Sequence, residues 1–328
     1  MVFEVCRALR KDATAIPVEI LDVIVTSLLS HNRRFCAIAN ISLVSSRLRL
    51  IAFRRYFETL EVRSPRHWDK SCRILGMFNW VRKMRVAASD VQSNMDALSS
   101  FGSLRSLEID FSSDGLSTQK TRCSLLFKSL TADLTVLKLT SLPRIDTALL
   151  SLVASRFPSL TTLELSSTER LDKECCWLCF EESSSCTIHS PVPDVFPSIE
   201  VLANAYGRAL QPLENLEYLF LGVFLSDADV LSCHFDRCAS VVISSPRTGF
   251  YSSPPFGPDK CVICTAEHGA AVHERERLAS GIVEKILPSL KTVGWSSHFS
   301  EHGSGADRRT KTTIFCTRTL KVKVDSTR

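Results

Sequence analysis

Cysteine and histidine residues give this sequence its clearest candidates for chemistry. The chain holds 13 cysteines, and in two groups a pair of them is separated by two residues, the gap that lets both thiolates reach one Zn²⁺ ion. These groups, with the histidines near them, comprise Cys175, Cys176, Cys179, Cys261, Cys264, His268 and His273. They lie far apart in the chain, and neither is followed by a second pair at zinc-finger distance. We predict free thiols and no metal, with a zinc site shared by both groups as the alternative.

Motifs typical of enzymes are missing from the sequence. It contains no G-x-S-x-G, no H-E-x-x-H, no P-loop and no G-x-G-x-x-G motif. The stretch that begins at His273 lacks the second histidine of a zinc-binding protease helix. We therefore expect no catalytic residue and no cofactor. An enzyme on an α/β scaffold stays open as an alternative, because a catalytic triad can be assembled from distant positions.

The composition indicates a globular protein with a large core. The 328 residues are 45% hydrophobic and 23% charged, as in ordinary globular domains. No apolar run approaches the roughly 20 residues that span a bilayer. The first residues lack the apolar segment and cleavage site of a secretory signal. We expect no membrane partner and a location in the cytoplasm or the nucleus.

Positive charge is concentrated at one end of the chain. Residues 1–90 contain 16 Lys and Arg against 8 Asp and Glu, a balance of +8; since the whole chain carries +5, the remainder carries −3. An excess of this kind favours an acidic partner for the N-terminal segment, either a protein or a nucleic acid. A basic face that is merely solvated remains the alternative.

Apolar residues near the N-terminus predict an amphipathic helix. They recur in two adjacent columns with helical spacing, one of Ile20, Ile24 and Leu28, the other of Leu21, Val25 and Leu29. Pro17 suits the first turn, where its missing N–H would have no partner, and Glu19 suits the positive end of the helix dipole. Two further helices are expected after Phe35 and around Ile51. Three short helices can hardly bury their own apolar faces, so these faces need another surface.

A different pattern follows, in which an apolar-x-x-apolar-x-apolar frame recurs. The frames are Val81–Val86, Leu104–Ile109, Leu134–Leu139, Leu160–Leu165, Leu216–Leu221 and Leu290–Trp295. The first three steps measure 23, 30 and 26 residues, close to the roughly 20–29 of a leucine-rich repeat. Each repeat supplies one strand of a curved parallel sheet and a return segment. Residues 124–130 and 147–157 have the helical spacing expected of returns, so the fold class is α/β.

The repeat pattern is interrupted in two places. Residues 166–198 and 244–278 combine Ser, Pro and Gly clusters with little periodicity, so we expect them to be insertions. The apolar frame at 199–204 begins too close to Leu216 for both to be full repeats, and we assign one of the two to a return segment. The tail, which alternates at Leu320, Val322 and Val324, predicts a last strand at the sheet edge.

Residues 16–57 resemble the F-box, the short helical module that joins substrate receptors to the adaptor of cullin-RING ubiquitin ligases. The residues that carry the resemblance are Ile16, Pro17, Glu19, Ile20, Leu21, Ile24 and Leu28, followed by Val44, Ser45, Arg47 and Leu48. The family often has tryptophan where this chain has Leu48. The whole chain resembles the F-box/leucine-rich-repeat proteins that mushroom-type fungi encode in large numbers. This divides the chain into an F-box-like module, 1–60, and a degenerate repeat solenoid, 61–328.

The resemblance implies a non-catalytic receptor that brings a target protein to a ubiquitin ligase. The adaptor, which is acidic in that family, would bind Ile16, Pro17, Glu19, Ile20, Ile24, Leu28, Val44 and Leu48. Strand alternation predicts a target-binding face that includes Glu108, Asp110, Lys138, Glu164, Tyr218 and Phe220. The alternatives are a repeat scaffold whose helices only cap its end, an irregular α/β domain with coincidental leucine spacing, and a nucleic-acid-binding module. The last is disfavoured because most basic residues are dispersed among apolar ones.

Overall fold

The part of the chain that the structure describes is an α/β protein built around one sheet of eight strands. The computed structural model describes residues 16–31, 34–74, 76–167, 196, 198–225, 262–297 and 299, and the backbone of 311–315. Strands β1 to β8 follow one another across the sheet in chain order. The first seven run parallel, as expected from the sequence, and the eighth pairs antiparallel with the seventh.

Helices lie before the sheet and between most of its strands. The helices are α1 Val18–His31, α2 Cys36–Val44, α3 Ser46–Tyr56, α4 Pro65–Cys72, α5 Met77–Trp80, α6 Leu116–Ser129, α7 Thr147–Arg156, α8 Ile199–Leu210 and α9 Val262–Ile286, with a 3-10 segment at Gln92–Ser100. The strands are β1 Thr59–Glu61, β2 Lys83–Ala87, β3 Ser106–Asp110, β4 Val136–Leu142, β5 Thr162–Ser167, β6 Tyr218–Phe224, β7 Thr292–Ser296 and β8 Lys311–Phe315. Within the ranges given above, no helix is both long and apolar enough to cross a membrane.

The repeated apolar frame forms the inward face of the sheet. Each of the six frames overlaps one strand, from β2 to β7. One apolar row that crosses these strands in register is Met84, Leu107, Leu137, Leu163, Leu219 and Val293, and all six side chains are buried. Alternate residues of a strand face opposite sides, so this row packs against the helices. Burying each such side chain contributes about 1.5–3 kcal/mol relative to exposing it.

The return segments pack side by side and are tied together by polar contacts. Helices α6, α7, α8 and α9 each contact the next in the series. The amide of Gln119 in α6 both donates to the carbonyl of Arg144 (2.7 Å) and accepts from its N–H (2.8 Å). The hydroxyl of Tyr206 in α8 donates to the carbonyl of Ile145 (2.5 Å). These bonds satisfy backbone groups of the loop that precedes α7 and attach this loop to α6 and α8.

Two expectations about the interruptions need correction. The sequence predicts an insertion of little periodicity that includes residues 262–278, but these residues belong to α9, which continues to Ile286. The reason is a sparse set of small and apolar residues, among them Val272, Ala279 and Val283, which recur at helical spacing between charged ones and are buried. Likewise Ser166 lies in β5 rather than in an insertion. The frame at 199–204 lies in α8, so it is the return segment and Leu216–Leu221 is the strand.

The three N-terminal helices have a small core of their own. It consists of Leu21, Val25, Ile38, Ile51 and Ala52 and is separate from the core under the sheet. Ser45 ends α2 in an extended conformation and caps α3, because its hydroxyl accepts a hydrogen bond from the N–H of Leu48 (3.1 Å). We refer to residues 16–57 as the helical module and to the remainder of the described chain as the sheet domain.

Candidate protein-docking surface

Helix α1 has one apolar column that is buried and one that is exposed. Leu21 and Val25 belong to the core of the helical module. The neighbouring column of Ile20, Ile24 and Leu28, which we call the α1 stripe, is 52%, 42% and 39% exposed. A single exposed apolar residue is common on protein surfaces and needs no explanation. Three exposed apolar residues in one helical column are more often part of an interaction site than a single one is.

The start of α1 continues this exposed surface. Ile16 is exposed and lies one helical turn before Ile20. Pro17 lies at the N-cap position, just before the first turn in which it was expected, and its carbonyl accepts the N–H of Leu21 (3.2 Å). Glu19 is exposed in the first turn, where a carboxylate stabilises the helix dipole.

The second and third helices contribute further exposed apolar side chains. Leu43 and Val44, at the C-terminal end of α2, are 73% and 72% exposed, and Leu50 on α3 is also exposed. Val44 is among the residues predicted from the sequence, whereas Leu43 and Leu50 are not. Leu48, which was also predicted, is half-buried and packs against the core of the helical module. The helical period could have indicated that Leu50 is exposed. Leu50 lies one position before the buried Ile51 and therefore off the inward face of α3.

Arginines accompany the exposed apolar residues. Arg47 and Arg54 on α3 are both exposed. Arg47 lies three positions before Leu50 and Arg54 lies four positions after it, so all three residues lie along one helical face. Arg49 is exposed as well, and its Nε donates to the carbonyl of Ser42 (3.0 Å). A surface that combines apolar side chains with guanidinium groups is complementary to an apolar groove bordered by carboxylates.

A further arginine holds the helical module together. The guanidinium of Arg55 on α3 donates from Nε to Asp22 of α1 (2.6 Å) and from Nη1 to Glu58 (3.0 Å), and it makes a second, short contact with Asp22. The hydrogen bond from Arg55 keeps the pKa of Asp22 below its usual value. The same bonds raise the pKa of Arg55. This planar, two-carboxylate arrangement fixes α1 against α3, and with it the direction in which the α1 stripe faces.

The second candidate surface is a row of charges on the sheet. The residues in register across β1 to β6 are Glu61, Arg85, Glu108, Lys138, Glu164 and Phe220. Neighbouring strands are joined by ion pairs, Arg85 Nε to Glu108 Oε1 (3.0 Å) and Lys138 Nζ to Glu164 Oε2 (2.7 Å). The structure therefore brings Glu108, Lys138 and Glu164 together in a row of alternating sign, as their strand positions predict.

Asp110 is the last residue of β3 and lies two positions after Glu108 of the charged row. Its carboxylate accepts hydrogen bonds from the hydroxyls of Ser112 (2.7 Å) and Thr140 (3.2 Å). Burial acts to raise the pKa of Asp110, but the hydrogen bonds, chiefly from Ser112, outweigh burial and leave the pKa below its usual value. Asp110 is thus held as a carboxylate by its own neighbours.

The prediction that Phe220 lies on an exposed face is wrong. Its side chain is 1% exposed, whereas Tyr218 on the same strand is partly exposed. Strands β3, β4 and β5 are half-exposed on one face, but β6 and β7 are buried on both faces except at their end residues. A strand that is covered on both faces no longer shows exposure at every second residue, so alternation fails as a guide there.

The described cysteines form no metal site. Among the residues that the structure covers, no three or more His, Cys, Asp or Glu side chains are grouped so as to hold a metal ion. Cys175, Cys176, Cys179 and Cys261 lie outside those residues. Burial raises the pKa of the Cys72 thiol to about 11 and that of Cys123 to about 12. These two thiols are therefore poor nucleophiles at neutral pH.

Comparisons with known proteins do not assign the chain to a family. A scan against protein-family models gives no match, and a search of curated protein sequences gives no significant match. The helical module and the charged row of the sheet are therefore the features from which a function can be inferred.

Proposed function

We propose that this protein is the non-catalytic substrate receptor of a cullin-RING ubiquitin ligase. In this proposal the helical module is an F-box that binds the ligase adaptor, and the sheet domain is an irregular leucine-rich-repeat solenoid that binds a target protein. The observation that carries the proposal is the exposure of the α1 stripe on a helix whose adjacent column is buried. An exposed apolar helix face of this kind packs into a groove of a partner.

The occupant that suits this surface is an acidic protein. Apolar side chains such as Ile24 supply the contact area, and Arg47 and Arg54 supply charge on the same module. Residues 1–90 carry an excess of +8, which would speed the encounter with an acidic adaptor. Both properties agree with the adaptor that the F-box resemblance implies.

The sheet domain has features that support a repeat solenoid as the target-binding part. Its strands follow chain order, its return helices contact their neighbours in series, and its apolar rows stay in register from β2 to β7. In this proposal the target contacts the exposed face around Glu108, Lys138 and Glu164, with Asp110 and Tyr218 beside them. Phe220 is left out of this surface because it is buried.

Such a receptor needs no catalytic residue. In the ligase, a lysine amine of the target attacks the thioester that joins ubiquitin to the transfer enzyme. An isopeptide bond forms, the carbon–sulfur bond breaks, and the released thiolate takes up a proton as the amine loses one. The receptor contributes by holding the lysine close to the thioester, which raises the effective concentration of the amine.

A binding measurement with purified adaptor tests this proposal. We expect the full chain to bind the adaptor and the Ile20→Asp, Ile24→Asp double variant to lose binding, because two buried carboxylates in an apolar groove are strongly unfavourable. The matched control is Leu125→Asp, Val201→Asp, which changes two exposed apolar residues on α6 and α8 and should bind like wild type. Equal binding by wild type and the α1 variant would refute the proposal, provided that circular dichroism shows both to be folded.

A further inference from the structure

Aromatic side chains connect the helical module to the sheet domain. Helix α3 contacts α5, the short helix that leads into β2. The ring of Phe57 stacks on Trp80 of α5, with centroids 6.3 Å apart and planes 17° apart. Phe53 lies 6.5 Å from the same ring. Trp80 is thus in contact with two successive turns of the helical module.

The aromatic contacts continue across the helical module. Phe35, just before α2, lies 6.1 Å from Phe53 and 5.5 Å from Tyr56, and Tyr56 lies 5.0 Å from Phe57, measured between ring centroids. All of these pairs are tilted, edge-on or offset, the arrangements that aromatic rings prefer. A connected set of five rings therefore extends from α2 to α5.

The position of Trp80 requires a glycine beneath it. Gly76 has φ +84, a left-handed conformation that other residues rarely adopt. A Cβ atom added there would lie 2.6 Å from Cζ2 of Trp80. Gly76 thus both turns the chain into α5 and leaves room for the ring that faces the helical module.

Polar contacts cross the same junction. Arg55 binds Asp22 of α1 and Glu58, as described above, and the carbonyl of Glu58 accepts hydrogen bonds from the N–H groups of Arg82 (2.9 Å) and Lys83 (3.0 Å) at the start of β2. One residue, Glu58, is therefore bonded to the helical module by its side chain and to the sheet by its backbone.

The connection between the two parts is too short to be a flexible linker. Helix α3 ends at Tyr56 and β1 begins at Thr59, so that only two residues intervene. Boundaries between independently moving domains typically fall in longer segments that few contacts cross. Here aromatic rings and hydrogen bonds both cross the boundary.

We propose that Arg55, Glu58 and Trp80 form a rigid joint that fixes the helical module relative to the sheet. The inference rests on the proposed function and extends it. The joint sets the direction in which a target on the sheet is presented to an adaptor on the α1 stripe. These three side chains are positioning residues, since none of them belongs to either proposed binding surface.

Distance measurements in the full chain test the joint without adaptor or target. A ketone-bearing amino acid placed at Ser27 on α1 and at Lys120 on α6, both exposed, allows spin labelling that ignores the native cysteines. Pulsed electron resonance should give one narrow distance distribution for the wild-type chain. Trp80→Ala and Arg55→Gln should each widen it by roughly twofold, as expected when few contacts hold two parts together.

Two further variants separate the joint from general destabilisation. Trp80→Phe keeps an aromatic ring over Gly76 and should restore most of the narrow distribution. Arg277→Gln removes another arginine that binds a carboxylate through two nitrogens, to Glu274 on α9, and should leave the distribution unchanged. A broad distribution in wild type, or a narrow one in both Trp80→Ala and Arg55→Gln, would overturn the inference.

The joint and the docking proposal fail in different ways. Adaptor affinity of Trp80→Ala should stay within about twofold of wild type, because substitutions at sites without shared contacts act independently. Loss of the narrow distribution with retained adaptor binding supports the joint. A wild-type chain that gives the narrow distribution but does not bind the adaptor supports the joint and refutes the ligase proposal.

Discussion

The helical module and the sheet domain use similar apolar spacing but differ in what covers it. In the sheet, the row that contains Leu107, Leu137 and Leu163 is buried beneath helices supplied by the same chain. In α1, the column of Leu21 and Val25 is buried, whereas Ile20 and Ile24 beside it are exposed. The sheet domain therefore completes its own core, and the helical module has more apolar surface than its three helices can bury. This difference is the basis of the proposal that the excess surface serves binding.

The largest expected difference between the two regions is the loss of unfolding free energy when an apolar side chain is removed. Leu163→Ala should lower the free energy of unfolding by about 2–5 kcal/mol, because it leaves a cavity in a packed core. Leu28→Ala should change it by less than about 1 kcal/mol, because surface substitutions usually have small effects. Urea denaturation of both variants measures this difference. Equal losses would mean that the α1 stripe is packed within the chain.

Adaptor binding should reduce the difference between the regions by covering the exposed one. At an adaptor concentration of 100 times the dissociation constant, the folded chain gains about 2.7 kcal/mol. Thermal unfolding with and without adaptor measures the gain as a shift of the midpoint. The Ile20→Asp, Ile24→Asp variant should show no shift, while the Leu125→Asp, Val201→Asp control should shift like wild type. If adaptor shifts the unfolding midpoint of both variants equally, the adaptor binds at a site other than the α1 stripe.

Acid should weaken the helical module through Asp22. Its pKa in the folded chain is below the usual value because of the hydrogen bond from Arg55. The ion pair therefore stabilises the fold above the usual carboxyl pKa, and this contribution is lost as the pH falls through the folded-state pKa. Asp22→Asn should lower the midpoint of thermal unfolding at pH 6, and the difference from wild type should shrink as the pH falls below the usual carboxyl pKa and vanish once the pH is below the folded-state pKa of Asp22. A constant difference at all pH values would contradict this account.

The smallest effect is expected on the charged row of the sheet. Lys138→Ala should lower the free energy of unfolding by no more than about 1 kcal/mol, since its pair with Glu164 is partly exposed and such pairs contribute little. The difference from wild type should shrink in 1 M salt, because salt screens exposed charges. Urea denaturation at low and high salt measures it. A loss as large as that of Leu163→Ala would show that this row belongs to the core.

The sequence allowed the strands to be predicted and left other features hidden for physical reasons. The apolar frames located β2 to β7 because alternate residues of each strand must face one core. Both columns of α1 are apolar, so periodicity alone could not tell which of Ile20 and Leu21 is buried. Phe220 was placed on an exposed face because strand alternation does not reveal that β6 is covered on both faces. Gly76 carries the local signal of a turn, but the contact of Trp80 with the helical module has no local signal, since it arises only when α5 meets α3.

Hydroxyl-radical footprinting with mass spectrometry tests the central claim most directly, because it reports the exposure of individual side chains. We expect Ile20, Ile24 and Leu28 to be oxidised in the free chain and protected when adaptor is present, whereas Leu125 and Val201 are oxidised equally in both. If the α1 stripe is already protected in the free chain, or remains fully oxidised with saturating adaptor, the account of the helical module as a docking element is wrong.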